Sequence, residues 1–378
     1  MRHFFAAVGR IDWPRFSAAL ILIAFGFSAL YSMAWSQGDS GFLLIKKQLV
    51  ALLIGLVLVF LIIRSNYRWA KSFSLPLYLG SCGLLLLVLF FGETIRGTTG
   101  WFSVFGFHFQ PVELAKLGVI VALARYFSDY RHGDFTWRHL FFSAAIVGFP
   151  VFLVLLQPDL GSALLLLGAW AIMLFFAGLR FKHFLVLSIA AGLTSSLAWF
   201  FVFADYQKAR LISFLNPALD PMGEGYNVRQ AIIAIGSGGL FGRGLGFGSQ
   251  SQLRFVPESQ TDFIYAVIAE EFGFFGTLLL FGAFFVLIRR LFRSASLTRD
   301  DFTAFLFIGT AALFLLSFLV NVGMNLGIMP VTGIALPFVS YGGSALIVSL
   351  VLLGLAESAT VHDVTVKTQI LGKDRGKT

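Results

Sequence analysis

Charge is scarce in this chain. Only 12% of its 378 residues are Asp, Glu, Lys or Arg, against 58% that are hydrophobic, and no water-facing globular surface can be covered from so small a polar stock. That excludes a set of soluble domains and places the chain in the membrane class. Cysteine is nearly absent: Cys82 stands alone inside an apolar run, so neither a disulfide framework nor a cysteine-based metal site can be built. The six histidines are unclustered, and no metal-ligand spacing or Ser-His-Asp pattern appears. What the chain has in quantity is Phe (45) and Gly (39). Bulky apolar side chains suit lipid-facing surfaces, and small ones suit close helix contacts.

Apolar runs near the ~20 residues needed to cross hydrocarbon fall at 14–35, 48–63, 74–91, 111–127, 139–156, 160–179, 183–204, 263–288, 302–326 and 335–356. They predict an all-α integral membrane protein of about ten transmembrane helices, one polytopic membrane domain over residues 1–378. The first run follows Arg2, Arg10 and Arg15, and its length suits a retained span better than a cleaved signal. Lys and Arg locate the sides. With the amino terminus inside, every inside loop is basic, as at Arg64, Arg68 and Lys71 or at Arg289, Arg290, Arg293 and Arg299. This agrees with the positive-inside rule and an even number of spans, so both termini are expected in the cytoplasm. The formal charge of +9 thus reports topology and gives no ground for a nucleic-acid partner.

One segment is out of proportion. A large extracytoplasmic loop, from about 205 to 262, separates helices 7 and 8, and long ordered loops are usually functional. It contains the glycine-dense stretch Gly236–Gly248, which is expected to lie on or dip into the membrane. The tail from about 358 to 378 is polar.

Ionisable groups at membrane depth are costly and therefore few, so each is a functional candidate. Glu113 and Lys116 stand three apart on one helical face, where they can pair as a structural salt bridge or take part in binding. Asp159 follows Pro158 and precedes an apolar helix; it either caps that helix or lines an outer cavity. Arg96 and Trp101 share the second outside loop, Trp as an interface anchor and Arg as a phosphate holder. Asp262 is the strongest candidate, because Pro257-Glu-Ser-Gln-Thr-Asp262-Phe delivers a carboxylate where the long loop enters the eighth span. It can cap that helix. At a water–membrane border, partial desolvation also raises a carboxylic acid from about 3.9 toward general-base values. Glu270 and Glu271 lie two turns deeper and need a partner, and Asn321 and Asn325 are one turn apart for interhelical hydrogen bonds. Gly239-Leu-Phe-Gly-Arg-Gly has some look of a phosphate loop, but it lacks Gly-Lys-Ser/Thr and a preceding strand.

These residues sit in blocks that resemble the RodA/FtsW family of shape, elongation, division and sporulation proteins. The blocks are Arg96 to Trp101, Gln110-Pro-Val-Glu-Leu-Ala-Lys116, Gln157-Pro-Asp-Leu-Gly-Ser162 and Phe214-Leu-Asn-Pro217. They continue with Gly225 to Gln230, Ala234 to Gly239, Pro257 to Phe263, Glu270 to Gly273, and Gly327 to Ser344. The resemblance implies ten helices and a glycosyltransferase that joins lipid II into glycan strands outside the bacterial cytoplasmic membrane. It implies that Asp262 is needed for catalysis, and it places Trp101, Glu113, Lys116 and Asp159 on motif positions. It also suggests a class B penicillin-binding protein (a transpeptidase) as partner, within a complex for elongation or division. Gln260 departs from the pattern, where His is expected.

Transfer of a sugar from a diphosphate to a hydroxyl needs a base at the acceptor oxygen and cationic stabilisation of the leaving group. Asp262 suits the first role, and Arg96, Lys116, Arg210 or Arg243 the second. A divalent cation would also assist, but no ligand set can be read. The competing readings are a lipid II flippase or transporter and a non-catalytic scaffold. Against the transporter, the singular acid and the large loop lie on one face, and no paired broken helices appear.

Overall fold

The computed structural model describes residues 11–37, 39–95, 97–104, 106–130, 135–201 and 223–363, with the single positions 208, 212 and 214. In chain order the elements begin with α1 (Trp13–Gln37), α2 (Asp39–Arg64), the short α3 (Arg68–Ser72) and α4 (Ser74–Phe91). Three strands follow, β1 (Glu93–Ile95), β2 (Thr98–Val104) and β3 (Phe107–Phe109). Then come α5 (Pro111–Tyr130), α6 (Trp137–Leu156), α7 (Leu160–Phe176) and α8 (Phe181–Phe201). After the long loop's own α9 (Glu224–Ser237) and α10 (Ser249–Gln252), the chain ends in α11 (Ile264–Leu297), α12 (Asp301–Asn325) and α13 (Gly343–His362).

Each of the ten expected segments contains a helix. Eight of the described helices are long and apolar enough to cross a membrane. The other two are α7, with 17 residues, and α5, whose 20 residues include Glu113, Lys116, Arg125 and Asp129. Boundaries moved where hydropathy and helicity part company. α2 starts at Asp39 rather than 48, because its polar first turns continue the helix beyond the apolar run. α13 starts at Gly343 rather than 335, because the preceding apolar stretch is a turn-rich loop in which Gly333 and Phe338 adopt φ of 73° and 66°. The strands form an antiparallel meander in the order β1-β2-β3, pairing Glu93 with Trp101 and Phe102 with Phe109. Sequence reading left it as a loop, since β1 and β3 have three residues each, too few for an alternating pattern to register.

α12 and α13 form the centre of the bundle, with 72% and 78% of their most apolar windows buried. Lipid-facing helices show the opposite: α8 buries none of its window, and Phe201 is 82% exposed. At the end of α13 away from its amino terminus, a buried ionic network ties α1, α11 and α13 together. The Arg15 guanidinium meets Glu357 at 2.7 Å, both side chains fully buried, and also donates to Thr360 Oγ1 at 2.7 Å. The Asp12 N–H donates to the second Glu357 oxygen at 3.0 Å. Such a pair costs much to desolvate, and removing one partner strands the other charge.

Backbone hydrogen bonds anchor the glycine stretch of the long loop. α11 is broken at Gly273, which has φ 65° and ψ −162°, so the carbonyls of Glu270 and Glu271 and the N–H groups of Phe274 and Phe275 lose helical partners. Hydrocarbon offers no replacement. The glycine stretch supplies all four: Arg243 and Gly244 N–H donate to Glu270 and Glu271 carbonyls at 2.9 and 3.0 Å, while Phe274 and Phe275 N–H donate to Gly239 and Leu240 carbonyls at 2.9 and 3.2 Å. A Cβ on Gly242 (φ 83°) would overlap the Glu271 carbonyl, and one on Gly273 would overlap the Gly242 nitrogen. The side chains of the broken turn are met as well. Gln250 and Ser251 N–H donate to the Glu270 carboxylate at 2.8 and 2.9 Å, and the Ser32 hydroxyl and Gly246 N–H donate to Glu271. Gly242→Ala and Gly273→Ala should each destabilise the protein by about 2 kcal/mol or more. Gly282→Ala, where a Cβ meets nothing within 4 Å, should be neutral. Melting temperatures in detergent check this; equal values for the three variants would contradict the backbone-docking account.

Candidate active site

A cavity of ≈ 570 Å³ opens where the amino-terminal ends of α5, α7 and α13 approach the loop before α11 and the β2–β3 hairpin. That volume is in the range of ligand sites. Five residues singled out in the sequence line it: Trp101, Glu113, Lys116, Asp159 and Asp262. They come from three separate stretches of the chain, 101–116, 159 and 262, that meet at this cavity. Arg243 does not line the cavity; its N–H joins the Glu270 carbonyl and its Nε donates to the Ser237 carbonyl at 2.9 Å. Arg96 and Arg210 lie outside the described residues.

Each side chain owes its place to local structure. Pro111 opens α5, where a missing N–H costs nothing, and Glu113 and Lys116 follow on one face. Lys116 Nζ stands 2.7 Å from Glu113 Oε1, with side-chain exposures of 9% and 12%. The pair is thus an internal salt bridge and part of the cavity wall together. Asp159 does two things as well: it caps α7 by accepting the Ser162 N–H at 2.9 Å and it lines the cavity. Trp101 reaches the wall from the middle of β2, half-buried.

Asp262 sits in a turn that is held carbonyl by carbonyl. Its own carbonyl accepts from Asn321 Nδ2 at 3.0 Å and Asn325 Nδ2 at 2.9 Å. The Thr261 carbonyl accepts from Ser340 Oγ at 2.7 Å, and the Gln260 carbonyl from Tyr341 N–H at 2.9 Å. Asn325 Oδ1 also receives the Ala266 N–H at 3.1 Å, inside the first turn of α11. The N-cap position of α11 belongs to Phe263, which makes no side-chain capping bond, and the Asp262 carboxylate instead faces the cavity beside Gly333, where a Cβ would stand 3.8 Å from Oδ2. Glu258, at the start of this turn, holds a left-handed φ of 54°, a strained conformation of the kind that clusters at functional sites.

Sequence reading missed part of the wall. Lys47 lines the cavity and its Nζ donates to the Gly106 carbonyl at 2.6 Å, yet in the sequence it registers only as a charge beside an apolar run. Ser344 Oγ accepts the Gln110 N–H at 3.1 Å and donates to the His108 carbonyl at 3.3 Å, joining α13 to the hairpin. The motif around Ser344 was visible; its partner was not. Among the described residues, no group of three or more His, Cys, Asp or Glu is arranged to hold a metal ion.

The chain was compared with known proteins. It is 37% identical over 348 residues to the probable peptidoglycan glycosyltransferase FtsW of Trichlorobacter lovleyi, covering 88% of this chain and 89% of that one. It is 35% identical over 344 residues to the peptidoglycan glycosyltransferase MrdB of Escherichia coli K12, covering 91% and 92%. Among solved structures, a chain of a peptidoglycan synthase complex that coordinates polymerization and crosslinking superposes with a TM-score of 0.78 at 33% identity, covering 93% of this chain and 97% of that one. The rod shape determining protein RodA of Thermus thermophilus gives 0.70 at 34%, covering 94% and 98%. The family model for FtsW, RodA and SpoVE, described as cell cycle proteins, matches residues 14–364, so this multi-pass membrane chain belongs to that family.

Proposed function

We propose that the protein is a peptidoglycan glycosyltransferase that polymerises lipid II into glycan strands at the outer face of the bacterial cytoplasmic membrane, for elongation or division. The observation that carries this is the Asp262 carboxylate, held by its backbone at the wall of a cavity that opens at one end of the helix bundle. Relatives named as peptidoglycan glycosyltransferases support it.

The arrangement suits inverting transfer. A sugar hydroxyl entering the cavity gives its proton to the Asp262 carboxylate as its oxygen attacks the anomeric carbon of a second lipid-linked sugar; the bond to the diphosphate breaks and the diphosphate leaves. Negative charge grows on that leaving group. Lys116 and Lys47 line the same wall, and the amino end of α13 is capped by Gly342 without a side-chain bond, so its N–H groups and dipole favour an anion. Lys116 is already balanced by Glu113, so its field is weaker than that of an unpaired cation. The flippase alternative draws less support. The break in α11 at Gly273 is filled by loop backbone, whereas substrate-binding broken helices leave their half-helix ends open to the site.

Orientation follows from the basic inside loops. Both termini are cytoplasmic and the loop of 205–262 is external, a placement that puts the cavity on the side where glycan strands are built. A class B penicillin-binding protein, whose transpeptidase cross-links those strands, is the expected partner; the similar solved chain belongs to a peptidoglycan synthase complex.

Purified protein, with and without that transpeptidase, should convert labelled lipid II into glycan polymer resolved on a gel. Asp262→Asn should lower the rate by about 10²-fold or more with little change in melting temperature, because Asn keeps the side chain's size and its capacity to cap a helix. A well-folded and active Asn variant would eliminate the base assignment. For topology, a reporter fused after Lys367 should read cytoplasmic and one near Gly223 external; both on one side would refute the orientation.

A further inference from the structure

The hydrogen-bond geometry points to Gln48, on α2, as a positioning residue for the transfer step. Gln48 carries no charge and lies 2% exposed in the bundle. Both ends of its amide are engaged by one short segment of the α12–α13 loop: Nε2 donates to the Ser340 carbonyl at 3.3 Å, and Oε1 receives the Gly342 N–H at 3.1 Å. Those two contacts bracket Tyr341. Two of these three residues also hold the turn before Asp262: Tyr341 N–H donates to the Gln260 carbonyl and Ser340 Oγ to the Thr261 carbonyl. Ser340 Oγ is itself oriented, because it receives the Leu336 N–H at 2.8 Å and so must donate to Thr261.

A continuous line of hydrogen bonds thus runs from a buried α2 amide, through Ser340–Gly342, to the two carbonyls that precede Asp262. Gly342 is also the N-cap of α13, whose first residues line the cavity. One amide therefore fixes both the turn that carries the carboxylate and the helix end opposite it. An apolar side chain of the same size would make neither bond. Loosening this loop shifts Asp262 relative to the acceptor hydroxyl, and a displacement near 1 Å costs on the order of 10²-fold in rate. The lipid anchor and the rest of the wall keep their contacts, so ground-state binding changes little. This inference rests on Asp262 acting as the base.

The test is Gln48→Met, which keeps length and volume but makes neither bond, measured in full-length protein with its transpeptidase and labelled lipid II. The expected result is a kcat lower by on the order of ten- to a hundredfold, with KM within about twofold. Gln48→Glu, which in its protonated form presents one donor and one acceptor as the amide does, should recover part of that loss. Wild-type kcat in a folded Gln48→Met protein overturns the assignment. If Gln48→Met does not accumulate, Ser340→Ala decides: a matching loss of kcat supports the relay and full kcat overturns it. Asp262→Asn serves as reference. If that variant is active the base reading fails, whereas a dead Asp262→Asn beside a fully active Gln48→Met removes Gln48 alone.

Discussion

Three consecutive carbonyls, those of Gln260, Thr261 and Asp262, have to be satisfied in a half-buried turn where the helix of α11 has not yet begun. An unpaired carbonyl at membrane depth costs several kcal/mol. Each is met by a donor from the carboxyl-terminal part of the chain: Tyr341 N–H, the Ser340 hydroxyl, and the amides of Asn321 and Asn325. Because donors of fixed reach set three successive peptide planes, the direction in which Asp262 leaves the backbone is set as well. The carboxylate then faces the cavity. α12 and α13, the most buried helices, supply the donors' frame. The turn that carries Asp262 is thus hung on the most buried part of the bundle, as the proposed role of its carboxylate requires.

The glycine-dense loop follows the same rule at a second place. Breaking α11 at Gly273 exposes four backbone groups, and only a chain with little side-chain bulk can approach closely enough to pair with all of them. Gly239-Leu-Phe-Gly-Arg-Gly resembles a phosphate loop for a physical reason: both need backbone N–H groups brought close to an oxygen. Here the oxygens belong to Glu270 and Glu271. The docking links the loop to the broken turn of α11 by backbone hydrogen bonds.

Much of this was legible in the sequence, and the parts that were not share a cause. Hydrocarbon thickness fixes the length of a span, so the ten helices could be read directly, and the Pro158-Asp159 pair announced a cap that the structure contains. Asp262 stood out because a lone acid at a span boundary is expensive. The small β-meander escaped because its two outer strands, with three residues each, are too short to show a period. Gln48 and Lys47 escaped because their roles depend on partners nearly 300 and 59 positions away in the chain. Arg243, chosen as a cation for phosphate, uses its N–H and Nε on backbone carbonyls. Sequence shows which residues are costly to bury; it does not show which distant carbonyl makes burial worthwhile.

The central claim is that the amides of Asn321 and Asn325 set the carboxylate by holding the Asp262 carbonyl. Asn325→Asp tests it directly, since the new carboxylate still accepts the Ala266 N–H but cannot, when ionised, donate to the carbonyl. Polymer formation from labelled lipid II should fall by about tenfold or more in protein that is still folded and still carries Asp262. Polymerisation at the wild-type rate in a folded Asn325→Asp protein would contradict the account.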